Sequence, residues 1–131
     1  MTILIAEDEA TSRWALVALL REEGHRAIAV TTGRDALAAC DAVRPDVVIL
    51  DYGLPDMSGL DVLTAIAPAA ARPVALIVTG QRLGARARRA ARKLGVRIFR
   101  KPISPPDLLD SVRSAAATLR EREGGAYTRQ P

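Results

Sequence analysis

A doubly wound α/β domain built on a five-stranded parallel sheet is the fold this sequence predicts, and three observations predict it. Short β-branched runs alternate with longer helical patterns, the mark of consecutive βαβ units. The runs themselves, such as Val47-Val48-Ile49-Leu50, are apolar without alternation, as strands are when helices cover both faces of a sheet. With 131 residues the chain is long enough for one sizeable core and too short for two.

Taken in order, the expected strands are Thr2 to Ala6, Ala27 to Val30, Asp46 to Leu50, Val74 to Val78 and Val96 to Phe99. The first helix is expected from Thr11 to Glu23, with Thr11 or Ser12 as its cap and Gly24 as its stop. Arg34 to Val43, Gly59 to Ile66 and Leu83 to Leu94 follow as the second, third and fourth. In the fourth, Leu83, Ala87, Ala90, Ala91 and Leu94 make one apolar stripe with arginines on the other faces. Pro105 to Arg122 forms the fifth, seated by Leu108, Leu109, Val112, Ala116 and Leu119. The polar stretch from Gly124 to Pro131, with its paired glycines, reads as a fraying end, so the expected division is a domain over 1–122 and a flexible tail over 123–131.

Composition excludes several function classes. No apolar run is long enough to span a bilayer, and the apolar stretch Met1 to Ala6 stops at two acids without a basic start or a cleavage site, so neither a membrane nor secretion is expected. The single cysteine, Cys40, can form neither an internal disulfide nor a cysteine metal cluster, which fits the cytoplasm. The net charge of +4 is unevenly spread: no acid lies between Asp61 and Asp107, where Arg82, Arg86, Arg88, Arg89, Arg92, Lys93, Arg97, Arg100 and Lys101 crowd together. Without a recognition-helix motif no specific nucleic-acid partner is expected, since basic charge alone supplies only salt-sensitive, nonspecific affinity.

In open parallel sheets chemistry gathers at the carboxyl ends of the strands. Glu7 and Asp8 follow the first strand, Asp51 the third, Thr79 the fourth and Lys101 the fifth, so three carboxylates, a hydroxyl and an ammonium are expected to converge. Acids at strand ends also serve as loop residues and caps, but crowded carboxylates repel and need a cation or protons to coexist. All-oxygen ligation suits Mg²⁺. A carboxylate beside that ion is a phosphoryl acceptor, with Lys101 neutralising the transferring oxygens and Thr79 donating a hydrogen bond. Lys93 and Lys101 are the only lysines among many arginines, consistent with a need for a mobile point charge at Lys101.

These residues resemble the receiver domain of bacterial two-component response regulators, from about Thr2 to about Ala116. The most specific part is Pro45-Asp46-Val47-Val48-Ile49-Leu50-Asp51 followed by Leu54-Pro55-Asp56-Met57-Ser58-Gly59. Glu7-Asp8-Glu9, Thr32-Gly33-Arg34-Asp35-Ala36-Leu37, Val78-Thr79-Gly80 and Lys101-Pro102 stand in the family's order and spacing. The resemblance implies a flavodoxin-like, CheY-like fold with strand order 2-1-3-4-5. It implies that Asp51 takes a phosphoryl group from a histidine of a partner kinase or phosphotransfer domain, making the chain a signalling phosphoacceptor rather than a metabolic enzyme. Asp8, Asp51 and the backbone carbonyl of Gly53 would ligate Mg²⁺, with Glu7 acting mainly through a water. Lys101 would contact the phosphoryl group, Thr79 would move toward it as the switch, and the Lys101-Pro102 bond would be cis. The histidine partner would dock on the first helix, where Trp14 is a candidate contact; an output partner or a second copy would use the fourth helix, fifth strand and fifth helix.

The sequence departs from the family at Ile98, where many members carry an aromatic residue three positions before the lysine. Phe99, one residue on, is expected to point to the opposite face of the sheet and into the core. Glu7 stands for the more usual aspartate. Gly53 has no side chain to position an attacking water, whereas Gln81 has one. A phosphorylation-independent interaction module on the same fold is the alternative reading. An aspartate-nucleophile phosphatase would want a second acid where Gly53 stands, and no glycine-rich nucleotide loop is present.

Overall fold

The computed structural model describes the backbone of residues 1–66 and 72–128 and side chains as far as residue 123. Strands and helices alternate: β1 (Thr2–Ala6), α1 (Ala10–Glu22), β2 (Arg26–Val30), α2 (Gly33–Val43), β3 (Val47–Asp51), α3 (Gly59–Ala65), β4 (Val74–Thr79), α4 (Ala85–Leu94), β5 (Arg97–Arg100) and α5 (Pro105–Thr128). All strand pairs are parallel and the order is β2-β1-β3-β4-β5, as expected. Among the described residues no helix is long and apolar enough to cross a membrane.

Strand alternation divides the core into two layers. Ile3, Ile5, Val47, Ile49, Leu76 and Val78 face α1 and α5, meeting Val17, Leu20, Leu108, Val112 and Ala115. Leu4, Ala6, Val48, Leu50 and Ile77 face the other way, onto Ala36 of α2, Val62 and Leu63 of α3 and Ala91 of α4. Both faces of the central strand are therefore covered, which is why every residue of β3 is buried and why its sequence shows no period. Burial of each such Val, Leu or Ile stabilises the fold by roughly 1.5–3 kcal/mol before conformational entropy is counted. On β5, Ile98 packs with the α2–α4 layer and Phe99 with the α1/α5 layer, the opposite faces that alternation predicts. The Arg97 guanidinium lies over the Phe99 ring, 4.9 Å from its centroid.

The helix ends contain the main local surprise. α1 is capped by neither Thr11 nor Ser12 but by Glu9, whose carboxylate accepts the Thr11 and Ser12 backbone N–H groups at 3.2 and 3.1 Å. A longer carboxylate one turn ahead reaches the same orphan donors and adds negative charge at the positive end of the helix dipole. These bonds, with that from the Ser12 hydroxyl, hold Glu9 below the usual carboxylate range. α1 stops at Gly24, which takes φ +91°, as expected. α3 opens with a reciprocal capping box between Ser58 and Asp61. α4 starts at Ala85 rather than Leu83: Leu83 is buried in the irregular segment ahead of the helix and Gly84 is the cap. α5 continues past Arg122, so residues 123–128 of the expected tail are helical in backbone; Arg120 to Glu123 are sound helix formers and no proline follows until Pro131. Residues 129–131 of that tail lie outside the described residues.

Candidate functional site

Sheet register brings the polar strand ends together. Ala6 lies opposite Leu50 and Asp51 opposite Val78, so Glu7, Asp51 and Thr79 leave three neighbouring strands at one level. Thr79 lies opposite Arg100, and the Lys101 backbone N–H donates to the Thr79 carbonyl at 2.8 Å, which brings Lys101 to the same edge. The Lys101-Pro102 bond is cis.

The Lys101 ammonium is the hub. Its Nζ donates to Glu7 Oε1 and Oε2 at 2.9 and 2.7 Å and to Asp51 Oδ2 at 2.9 Å. Glu7 is fully buried and Asp51 only 6% exposed. Burial pushes the Glu7 carboxyl up, and the neighbouring Asp51 carboxylate pushes it further, outweighing the help of Lys101. Burial acts on Lys101 in the opposite sense, but hydrogen bonds and charge from Asp51 and Glu7 outweigh it and hold the ammonium above its ordinary value. The remaining Asp51 oxygen, Oδ1, accepts the Gly53 N–H at 3.0 Å.

Asp8 is exposed beside this pair, and Glu7, Asp8 and Asp51 each present a carboxylate oxygen within 4.8 Å of the others. One ammonium does not balance three carboxylates at that range, and an all-oxygen donor set of this kind fits Mg²⁺ or a similar hard cation. Thr79 is placed at the pocket but turned from it. Its hydroxyl donates to the Gln81 carbonyl at 2.9 Å and accepts the Gln81 N–H at 3.1 Å, and among the described residues it has no bond to Asp51 or Lys101.

Two supports were not legible in the sequence. Arg13, on α1, donates to the carbonyls of Glu7 and Asp8 at 3.1 and 3.2 Å and so braces the loop carrying both acids. It also lies over the Trp14 ring, 5.7 Å from the centroid. Asp56 closes the other side. Its two oxygens accept the Gly33 and Arg34 N–H groups at 2.8 and 2.9 Å, tying the loop after Asp51 to the start of α2 and holding Asp56 below the usual carboxylate range. Spacing could hint at Arg13, one helical turn beyond Glu9, but only the packing of α2 beside the β3–α3 loop pairs Asp56 with Gly33. Trp14 is 58% exposed, His25 is half-buried with Nδ1 3.2 Å from the terminal amine of Met1, and Cys40 packs against the α2–α4 layer.

The description of the response regulator receiver domain matches residues 3–113. The chain belongs to that family. Among curated relatives of this receiver domain, the transcriptional regulatory protein PdtaR of Mycobacterium tuberculosis is 34% identical over 122 residues, covering 91% of this chain and 58% of the relative. The transcriptional regulatory protein KdpE of the same organism is 35% identical over 130 residues, covering 98% of this chain and 55% of the relative. The chain thus spans a little over half the length of these relatives. Among solved structures, a CheY-like response regulator receiver domain from Methylobacillus flagellatus superposes with a TM-score of 0.76 at 29% identity, covering 88% of this chain and 98% of that one.

Proposed function

We propose that this receiver domain accepts a phosphoryl group on Asp51 from a histidine of a partner kinase or phosphotransfer domain, in a Mg²⁺-dependent reaction in the cytoplasm, and thereby switches partner binding. The observation that carries this reading is the bond from Lys101 to Asp51 in a pocket shared with two further carboxylates. An Asp51 oxygen forms the new P–O bond as the P–N bond to the donor histidine breaks, and the imidazole leaves with the electron pair. Lys101 then shifts part of its attraction from Asp51 to the phosphoryl oxygens, which is electrostatic stabilisation of charge as it develops. Asp8, Asp51 and the Gly53 carbonyl would hold the metal, with Glu7 acting through water. When bound, Mg²⁺ supplies a second positive charge to the phosphoryl oxygens.

The switch follows from Thr79. Its hydroxyl is committed to Gln81, so a new anion at Asp51 competes for that donor and pulls on the loop Gly80–Gly84 that leads into α4. With Ile98 in place of an aromatic residue, transmission runs through this loop rather than through a ring rotamer. Exposed Trp14 supports α1 as the docking face for the histidine partner, with α4, β5 and α5 as the output face for a partner or a second copy.

Incubation of the protein with Mg²⁺ and acetyl phosphate, followed by intact mass measurement, is expected to show one added phosphoryl group that Asp51→Asn abolishes. A folded protein that gains no adduct from acetyl phosphate or from any histidine kinase tried overturns the proposal. Ile98 also favours a second reading, an interaction module indifferent to phosphorylation. Partner affinity unchanged by Asp51→Asn or by beryllofluoride would select it.

A further inference from the structure

α4 turns Ala87, Ala90, Ala91 and Leu94 to the core. The rest of its circumference presents Arg86, Arg88, Arg89, Arg92 and Lys93, all exposed, with exposed Arg82 before the helix and Arg100 at the end of β5. Among the described residues none of these seven cations forms an ion pair: the salt bridges are those of Lys101 with Glu7 and Asp51, and of Arg113 with Asp110. Like charges three and four residues apart on a helix destabilise it, and α4 has neither an acid in its first turn nor a side-chain cap. An external polyanion would relieve this repulsion.

We infer that the α4 face binds the phosphodiester backbone of nucleic acid without regard to sequence. This deepens the reading of α4 as part of the output face by naming the chemistry of what it meets. Protein interfaces need an apolar centre, and amphipathic helices that lie on membranes need an apolar side to bury. The outer arc of α4 has neither; among the described residues the one large exposed apolar side chain is Trp14, on α1. Nucleic-acid interfaces are instead polar and strongly positive. Six of the seven cations are arginines, whose planar forks match phosphate oxygens. The 10 residues of α4 span about 15 Å, about four phosphates at roughly 3.4 Å of axis per nucleotide of one strand.

The test is fluorescence anisotropy of a labelled mixed-sequence DNA duplex titrated with the full chain at several KCl concentrations. About four neutralised phosphates give a slope of log K against log salt near −3.6, a loss of about 150-fold between roughly 50 and 200 mM. Replacing Arg88, Arg89 and Arg92 together by Gln is expected to make the slope shallower by about 2.7. Replacing Arg26, Arg34 and Arg120, exposed elsewhere, is expected to leave it unchanged. The inference is overturned if no binding is seen near 50 mM salt, if both triple variants lower the slope equally, or if labelled polyglutamate of equal charge binds tenfold tighter than the duplex. Acetyl phosphate labelling of the unsubstituted chain separates this inference from the phosphoacceptor reading, because the α4 arginines lie outside the pocket: labelling without DNA binding sinks only the former, and DNA binding without labelling sinks only the latter.

Discussion

A Cβ placed on Gly59 would stand 2.7 Å from the backbone oxygen of Asp51 and 3.1 Å from Ile77 Cδ1. The first residue of α3 therefore rests directly on the carbonyl of the proposed acceptor, and the Gly59 N–H donates to the Tyr52 carbonyl next to it. Gly59→Ala is expected to destabilise the fold by about 1–3 kcal/mol and to slow phosphorylation by displacing Asp51. Gly80→Ala, where the added atom meets nothing within 4 Å, is expected to leave stability close to wild type. Urea denaturation of the two variants side by side checks this.

Lys101 is the only ammonium bonded to Asp51 and Glu7 among the described residues. Lys101→Met is expected to lower the rate of phosphoryl transfer to Asp51 by about 10²–10³, the usual effect of deleting one charge-stabilising donor. A mass time course with acetyl phosphate measures it; a rate within threefold of wild type would leave Lys101 with a structural role only.

Three carboxylates with one ammonium leave room for a cation to stabilise the native state. Adding Mg²⁺ is expected to raise Tm, by an amount equivalent to about 2.7 kcal/mol at a hundred times Kd, and EDTA is expected to reverse it. Asp8→Asn should remove most of this gain while barely changing Tm in EDTA, because Asp8 is exposed. Thermal melts of both proteins with and without metal decide the point.

Asp56 gives a pH dependence of defined sign. The Gly33 and Arg34 N–H groups hold its native carboxyl below the ordinary value of 3.8, so the unfolded state binds the proton more readily. Its contribution is thus complete above that value and fades as pH falls through the lower native one. Asp56→Ala is expected to lower Tm near neutrality, and the difference from wild type should shrink on acidification below pH 3.8. A gap that stays constant into that range would show that the Asp56 charge is not what holds the loop to α2.

Trp14 offers a large exposed ring steadied by Arg13. Trp14→Ala is expected to weaken binding to the cognate histidine protein by about tenfold or more, as loss of an aromatic anchor does, while changing stability by no more than about 0.5 kcal/mol. Calorimetric titration and a melt on the same sample separate the two effects.

The fold was open to reading from the chain alone because its signals are local. Unbroken apolar runs such as Val47 to Leu50, helical stripes such as Ala87, Ala91 and Leu94, and stops such as Gly24 each depend on residues a few positions apart. The acid, hydroxyl and lysine positions could be found for the same reason, since each sits where a strand ends. What only the tertiary structure decided are relationships across long stretches of chain. Lys101 meets Glu7 across a separation of 94 residues and Asp51 across 50, and Asp56 bonds the first N–H groups of a helix that begins 23 residues before it. Glu9 displaced Thr11 and Ser12 as the cap because a carboxylate that reaches two N–H groups and carries charge outcompetes a hydroxyl, a contest settled only when the loop from Glu7 to Glu9 is folded over the end of α1. Periodicity places side chains on faces, whereas hydrogen-bond partners are chosen by the packing of those faces.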